Sequence, residues 1–208
     1  MPESTTSVEL SGVPLRVLTD SLGYLRTLRV IAGVAKRRVL ESPFNSLGPA
    51  QNKRERLSRQ QALGAILLYR ELKAQCPEQA LDLTFRVVEA GAIGHLRKTL
   101  GRLRGDALAR LDHESRTAKV QGWIDRFFTA TAQLGLVTDA RVEFTVTACA
   151  LVRLSRGAGH PELAPAFCRG DASYFASLSP PIRLERKTTI AEGGHHCPFV
   201  LSLRDETV

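Results

Sequence analysis

The side chains that could perform chemistry are concentrated towards the C-terminus of the 208-residue chain. This part holds three of the four cysteines together with an aspartate and two adjacent histidines: Cys149, Cys168, Asp171, His195, His196 and Cys197. A cysteine near a histidine loses its proton readily and attacks electrophilic carbon, while a carboxylate orients the base. The same residue types bind zinc or iron. The sequence therefore predicts either a thiol nucleophile or a metal site, with Cys149, Cys168 and Cys197 as candidate ligands.

The three cysteines differ in how strongly they indicate a function. Free cysteine is often buried as a small apolar side chain, and Cys197 alternates in phase with Phe199, so burial explains it as well as function does. Cys168 precedes a polar Arg-Gly-Asp turn and is the first candidate for a nucleophile. The cysteine intervals match no standard zinc signature. His195 and His196 follow two glycines, which favours an accessible turn for an acid–base group or a plain surface turn.

Strands and one short helix must position these residues. Periodicity predicts a strand over 140–152, a helix over 162–178, and a hairpin of strands over 182–190 and 195–203. In the first strand, period-two alternation places Cys149 on the same face as the polar side chain of Glu143. Cys149 and Cys197 can be close only if their strands are neighbours.

The preceding part of the chain has helical periodicity. It predicts polar, frayed residues over 1–20, a loop over 41–49, and helices over 21–40, 58–75, 78–103 and 114–134, the last ending at Gly135. The fold class is therefore α+β, with a helical N-terminal half followed by a small antiparallel sheet with an inserted helix. We divide the chain into an N-terminal extension, 1–50, and a single domain, 51–208, with a helical part over 58–135 and a sheet-containing site block over 140–204.

The composition excludes several classes of protein. With 43% hydrophobic and 24% charged residues, the chain is neither disordered nor collagenous. No apolar run is long enough for a spanning helix, and no secretory signal is visible. Four cysteines without a Cys-x-x-Cys pair do not form a disulfide framework. These observations predict a protein of the reducing cytoplasm.

The charge balance is strongly basic, with a formal net charge of +8. Only 6% of residues are aromatic, and none alternate with the basic clusters as a base-stacking surface requires, so no nucleic-acid partner is expected. The positive field would instead attract a small anionic substrate. The basic helix over 21–40 could lie on a membrane or on a partner, but covering its own core is the more common role. Homo-oligomer formation is left open.

One set of motifs resembles a known family. Phe167-Cys-Arg-Gly-Asp171, followed by Arg186-Lys-Thr-Thr-Ile-Ala-Glu-Gly-Gly-His-His-Cys-Pro-Phe199, resembles the L-2-amino-thiazoline-4-carboxylic acid hydrolase family. Cys149 matches its first cysteine, Cys168 and Asp171 match its Cys-x-x-Asp segment, and the closing strands match at Arg186, Thr188, Gly194, Cys197 and Phe199. One departure is Pro198, where the family usually has an acid.

The resemblance implies hydrolytic opening of a 2-aminothiazoline ring that bears a carboxylate, or of a related heterocycle in a biosynthetic reaction. In this interpretation Cys168 adds to the amidine-like ring carbon, and His195 or His196 moves protons. Asp171 orients the base or binds the amidinium, and Arg186 pairs with the substrate carboxylate. Cys197 is a further catalytic candidate, while Thr188 and Cys149 are candidates for substrate binding. The alternative is a non-catalytic small-ligand or metal-binding module of the vinyl-reductase type that uses the same cysteines.

Overall fold

The computed structural model describes residues 12–101 and 103–203 and has the α+β organisation that the sequence predicts. Its helices are α1 (Val13–Leu22), α2 (Tyr24–Leu40), α3 (Lys53–Gln75), α4 (Ala80–Leu100), α5 (Gly105–Ala109), α6 (His113–Arg126), α7 (Ala150–Gly157) and α8 (Ala164–Ala176). Its strands are β1 (Ala130–Val137), β2 (Arg141–Cys149), β3 (Arg183–Glu185) and β4 (Cys197–Ser202). Within the described ranges, no helix is both long and apolar enough to cross a bilayer.

The four strands form one antiparallel sheet in the order β1-β2-β4-β3. The predicted pairing of the last two strands is confirmed, although the first of them is limited to Arg183–Glu185. The strands that carry Cys149 and Cys197 are neighbours, and Val146 of β2 lies opposite Cys197 of β4. The sheet therefore meets the condition under which the two cysteines can approach one another.

Strand β1 corrects the prediction of a helix over 114–134. Helix α6 ends at Arg126, and the chain then runs as a strand from Ala130 to Val137. Gly135 lies inside this strand instead of ending a helix, and a Cβ there would be 3.3 Å from the Glu143 carbonyl oxygen of β2. Pairing with β2 decides the conformation because strand propensity depends on cross-strand neighbours as well as on local sequence.

Two further elements differ from the prediction. The strand predicted over 140–152 ends at Cys149, and helix α7 begins at the next residue, Ala150. Helix α1 occupies the region predicted to be frayed, from Val13 onwards, with a proline in its first turn as helix N-termini favour. The part of that prediction that concerns residues 1–11 lies outside the described residues, as do residues 204–208 of the predicted domain.

The helical half and the sheet have separate cores. Leu18, Val30 and Phe44 pack in one buried cluster with α3, α4 and α7. A second cluster joins the buried face of the sheet to α4, α6 and α8, with Phe144 and Phe199 among its residues. The segment predicted as an N-terminal extension thus contributes three buried side chains to the core of the helical half.

The contact between α4 and α8 is close enough to predict the effect of a substitution. A Cβ at Gly170 of α8 would lie 2.3 Å from the Cβ of Ala92 in α4. Gly170→Ala must therefore push the two helices apart, and we expect it to lower the free energy of unfolding by about 1–3 kcal/mol. Gly94→Ala in α4 is the matched control because nothing lies within 4 Å of its added Cβ. Urea denaturation of both variants checks this, and equal stability would contradict it.

Candidate active site

A cavity of about 100 Å³ lies between the inner face of the sheet and helices α4, α7 and α8. One ordered water needs only about 10–15 Å³ by this measure, so the space is large enough for a small organic molecule. Most of its lining is aliphatic or aromatic, and its polar residues are Thr129, Cys149, Cys168, Asp171, Arg186 and Cys197. An apolar pocket with a few convergent polar groups is the usual form of a small-molecule site.

Helix α8 supplies Cys168, the first candidate for a nucleophile, together with Asp171. Ala164, Phe167, Cys168, Asp171 and Phe175 all line the cavity, and their spacing places them on one face of the helix. The opposite face, which includes Gly170, packs on α4. Cys168 and Asp171 are three residues apart, so one helical turn presents both side chains to the same space.

Arg186 and Asp171 form the only charged pair in the cavity lining described by the structure. The Arg186 side chain is only 10% exposed, and its Nη1 donates to Asp171 Oδ2 at 3.0 Å. Its Nη2 donates to the carbonyl oxygen of Cys168 at 2.8 Å. Both terminal nitrogens are thus engaged within the protein. These contacts favour a role for Arg186 in holding α8 and Asp171 over direct bidentate binding of a substrate carboxylate.

The Arg186 guanidinium packs on a pair of stacked aromatic rings. The guanidinium carbon lies 4.9 Å from the centre of the Phe199 ring, a cation–π contact. Phe199 in turn stacks on Phe144, its neighbour in β2, with ring centres 4.6 Å apart. Period-two alternation over 140–152 puts Phe144 on the face opposite Glu143, but nothing in the sequence connects it to the site. The register of β2 against β4, which pairs Phe144 with Phe199, is not given by that alternation.

Burial raises the pKa of the Asp171 carboxyl to about 6, although the neighbouring Arg186 guanidinium acts in the opposite direction. About one third of the side chain remains exposed, which leaves part of the carboxyl open to the cavity. A carboxylate with a pKa close to neutral is suited to accept and return a proton during catalysis. Asp171 therefore has the properties of a general base.

The thiol of Cys168 is in a different electrostatic state. Burial raises its pKa to about 12, and Arg186 offsets this only partly. The thiol is therefore protonated at neutral pH, and a nucleophilic attack by it would need a base because the thiolate is the nucleophilic form. Asp171, one helical turn away, is the one carboxylate in the described lining.

A β-bulge turns Cys149 into the cavity. In the pairing of β1 with β2, Thr131 lies opposite Ala148 but Ala132 lies opposite Val146, so Thr147 is an extra residue in β2. One extra residue reverses the alternation of side chains along a strand. Cys149 therefore lies on the same face as Val146, and both line the cavity. Simple alternation instead predicts that Cys149 shares the face of polar Glu143. The bulge thereby adds a second thiol to the site.

Cys149 also lies at the N-terminus of α7. The backbone amides of Leu151 and Val152 act to lower its pKa, but burial outweighs them and the pKa is raised overall. A helix N-terminus is a setting that stabilises thiolates in other proteins. Cys149 thus resembles Cys168: each thiol has a neighbour that favours the thiolate, but burial outweighs that neighbour and raises the pKa.

Cys197 has a structural contact of its own. It is buried, and its Sγ accepts a hydrogen bond from the Ile190 amide at 3.2 Å. This bond ties the start of β4 to the short turn that carries Ala191 into the cavity lining. Pro198, the departure from the family pattern, follows Cys197 on the other side of the strand and is not part of the lining. An acid at this position would therefore not face the cavity.

Three predicted site residues are not brought to the cavity. His195 and His196 are exposed and lie outside its lining. Thr188 is also exposed, and its hydroxyl donates to the His196 carbonyl oxygen at 3.4 Å. The structure therefore unites Cys149, Cys168, Asp171, Arg186 and Cys197 without an imidazole.

The donor groups do not converge as metal ligands do. Over 12–101 and 103–203, no three or more His, Cys, Asp or Glu side chains are grouped so as to hold a metal ion. The candidate ligands Cys149, Cys168 and Cys197 line one cavity without forming such a group.

The chain thus combines an α+β fold with a mostly apolar, cysteine-lined cavity, and cavities of this kind are typical of proteins with small-molecule sites. The chain belongs to the L-2-amino-thiazoline-4-carboxylic acid hydrolase family, whose profile matches residues 55–201. The match begins two residues into α3 and ends in β4, so it includes every residue that lines the cavity. Neither a curated protein nor a solved structure matches the chain. The family is named for a hydrolase, and the family resemblance expected from the motifs is confirmed.

Proposed function

We propose that the protein is a hydrolase that opens a cyclic, amidine-like heterocycle such as L-2-amino-thiazoline-4-carboxylate. The observation that carries the proposal is the presence of Cys168 and Asp171 on one turn of α8, facing a mostly apolar cavity. A thiol and a carboxylate with a pKa near 6 form a nucleophile and its base. The family name, which gives a hydrolase of this substrate type, supports the same reaction.

The cavity has a natural partner for the amidine group of the substrate. An amidinium presents N–H donors in a plane, and Asp171 can accept from it through Oδ1, which is not the oxygen that pairs with Arg186. The carboxylate of Asp171 is the one acid in the described lining, so the charged end of the heterocycle would lie beside α8. This orientation places the carbon between nitrogen and sulfur next to Cys168, while Phe144 and Phe199 offer an apolar surface to the rest of the ring.

The reaction proceeds by two substitutions at that carbon. The Asp171 carboxylate accepts the Cys168 proton, the sulfur bonds to the ring carbon, and the ring C–S bond breaks. The departing substrate sulfur takes the proton from Asp171, which leaves an isothiourea joined to Cys168. Water then gives a proton to Asp171 and its oxygen bonds to the same carbon. The bond to Cys168 breaks, and the thiol recovers the proton from Asp171. The product has gained one water and contains a urea and a free thiol.

A binding module without catalysis is the alternative function. The specific observation in its favour is that burial raises the pKa of both Cys149 and Cys168, so that both thiols are neutral and weakly polar at pH 7. Such a cavity would hold an apolar or cationic ligand by packing and through Asp171. Calorimetric binding of the heterocycle without any product would favour this function over hydrolysis.

The test is incubation of purified protein of known metal content with L-2-amino-thiazoline-4-carboxylate, followed by mass spectrometry of the products. We expect a product heavier than the substrate by one water. Mild acid quenching during turnover should also trap the substrate on the peptide that contains Cys168. The absence of turnover by the folded protein would contradict hydrolysis of this substrate.

The pH dependence follows from Asp171. Its carboxyl pKa is about 6 in the folded protein, and the mechanism requires the carboxylate. We therefore expect kcat/KM to be constant above about pH 7 and to fall about tenfold per pH unit below 6, because kcat/KM reports the free enzyme. Initial rates between pH 4.5 and about 8 measure the profile, with the fold followed by circular dichroism. A profile that stays flat through pH 6 would contradict the assignment of Asp171 as base.

A further inference from the structure

We propose that the outer face of α2 binds anionic lipid surfaces. This inference is independent of the cavity and of the hydrolase function, and it concerns a part of the chain that precedes the family match. It begins from an unusual exposure of apolar side chains on a well-formed helix. Tyr24 is 69% exposed, Leu25 70% and Val39 85%.

The exposed apolar residues form one continuous stripe. Tyr24, Leu28, Ala32, Ala35 and Val39 are all exposed, and their spacing of four, four, three and four residues keeps them on one side of a helix. Leu25 extends the stripe at its N-terminal end. Isolated exposed apolar residues are common on soluble proteins, but a stripe along the full length of a helix is not.

The packing of α2 fixes which side faces outwards. Thr27 and Val30 are buried, and they lie on the side opposite the stripe. A Cβ at Gly33 would lie 2.1 Å from the carboxyl group of Glu71, so glycine permits α2 to lie directly on α3. Arg37 then pairs with Glu71 at 2.6 Å. These contacts hold the rotation of α2 and keep the stripe on the surface.

Basic side chains border the stripe. Arg29, Lys36 and Arg38 are exposed, and α2 contains no acidic residue. Within the part of the chain that the structure describes, none of the three forms an ion pair. An apolar stripe with basic margins is the pattern of a helix that lies in the plane of an anionic membrane surface.

The charge distribution favours a lipid surface over a second copy of the chain. A symmetric dimer through the stripe would place the basic margins of the two copies against each other, and both copies carry a formal net charge of +8. An anionic lipid surface instead pairs with these margins while the acyl region covers Leu25, Leu28 and Val39. A single partner then contacts both the apolar stripe and the basic margins of α2.

Vesicle flotation of the full chain tests the proposal. We expect binding to phosphatidylcholine vesicles that contain phosphatidylserine and no binding to phosphatidylcholine alone, with the bound fraction falling as salt rises. The variant Leu28→Glu/Val39→Glu should bind at least about tenfold more weakly because it places charge in the apolar stripe. Leu136→Glu is the matched control, since Leu136 is an exposed apolar residue on β1 and should leave binding unchanged.

A second pair of variants tests the basic margin. Lys36→Gln should weaken binding about fivefold at low salt, whereas Lys119→Gln, an exposed helical lysine of α6, should have no effect. Equal vesicle binding by all variants, or no vesicle binding by the unaltered protein, would overturn the proposal. Sedimentation that shows a dimer lost in Leu28→Glu/Val39→Glu, without vesicle binding, would also overturn it in favour of self-association.

Discussion

Replacement of Cys168 by alanine is expected to lower turnover of L-2-amino-thiazoline-4-carboxylate by at least about 10³-fold, as losses of other catalytic nucleophiles do. The physical reason is that the proposed covalent step has no substitute for the sulfur at this position on α8, where Asp171 is the adjacent base. Product formation by mass spectrometry measures the loss. The folded state should persist because the change shortens a side chain that lines a cavity.

Cys76→Ala is the control for the effect of removing a thiol. Cys76 follows α3, packs against the core of the helical half and is not part of the cavity lining. The Cys76→Ala variant should therefore retain full turnover. If Cys168→Ala remains active while Cys149→Ala does not, the nucleophile is the thiol at the N-terminus of α7 and the assignment to Cys168 is wrong.

Replacement of Arg186 by methionine should change both stability and the pH profile. Methionine keeps much of the length of arginine but leaves Asp171 without its cationic partner. We expect a loss of about 2–3 kcal/mol in the free energy of unfolding at pH 8. Removing one partner of a fully buried ion pair costs roughly 3–5 kcal/mol, and the expected loss is smaller because Asp171 is one third exposed. The pKa of Asp171 should rise above 6, because Arg186 now acts to lower it.

The sign of the pH effect follows from this shift. Below the folded-state pKa of about 6, Asp171 is protonated even with Arg186 present, so the ion pair adds little there. The destabilisation by Arg186→Met should therefore shrink between pH 8 and pH 5, and the acid limb of kcat/KM should move to higher pH. Urea denaturation at the two pH values and the rate profile measure these changes.

Arg183→Met provides the matched control for Arg186→Met. Arg183 is 77% exposed and pairs with Glu185 on the surface of β3, three residues before Arg186. An exposed pair contributes at most about 1 kcal/mol, so this variant should be nearly as stable and as active as the unaltered protein. If the two variants behave alike, the pair of Arg186 and Asp171 does not have the role assigned to it.

Much of the fold was predictable because it depends on local pattern. Helical periodicity places α2, α3 and α4 within a few residues of their observed bounds, and alternation identifies β2. Segment 130–137 also alternates, with Thr131, Gln133 and Gly135 between apolar residues, but the prediction extends the helical pattern of α6 over it. Its strand conformation depends on hydrogen bonding to β2, the next strand of the hairpin, and periodicity alone does not supply that pairing.

The site shows the same division between local spacing and tertiary contact. The sequence by itself determined that Cys168 and Asp171 share one side of α8, because helical geometry decides that from a separation of three residues. Only the tertiary structure decided the position of Cys149, which a one-residue bulge in β2 turns into the cavity. It also decided that His195 and His196 stay exposed and that Arg186 turns inwards to Asp171. These outcomes depend on strand register and on burial against distant elements, which spacing along the chain does not determine.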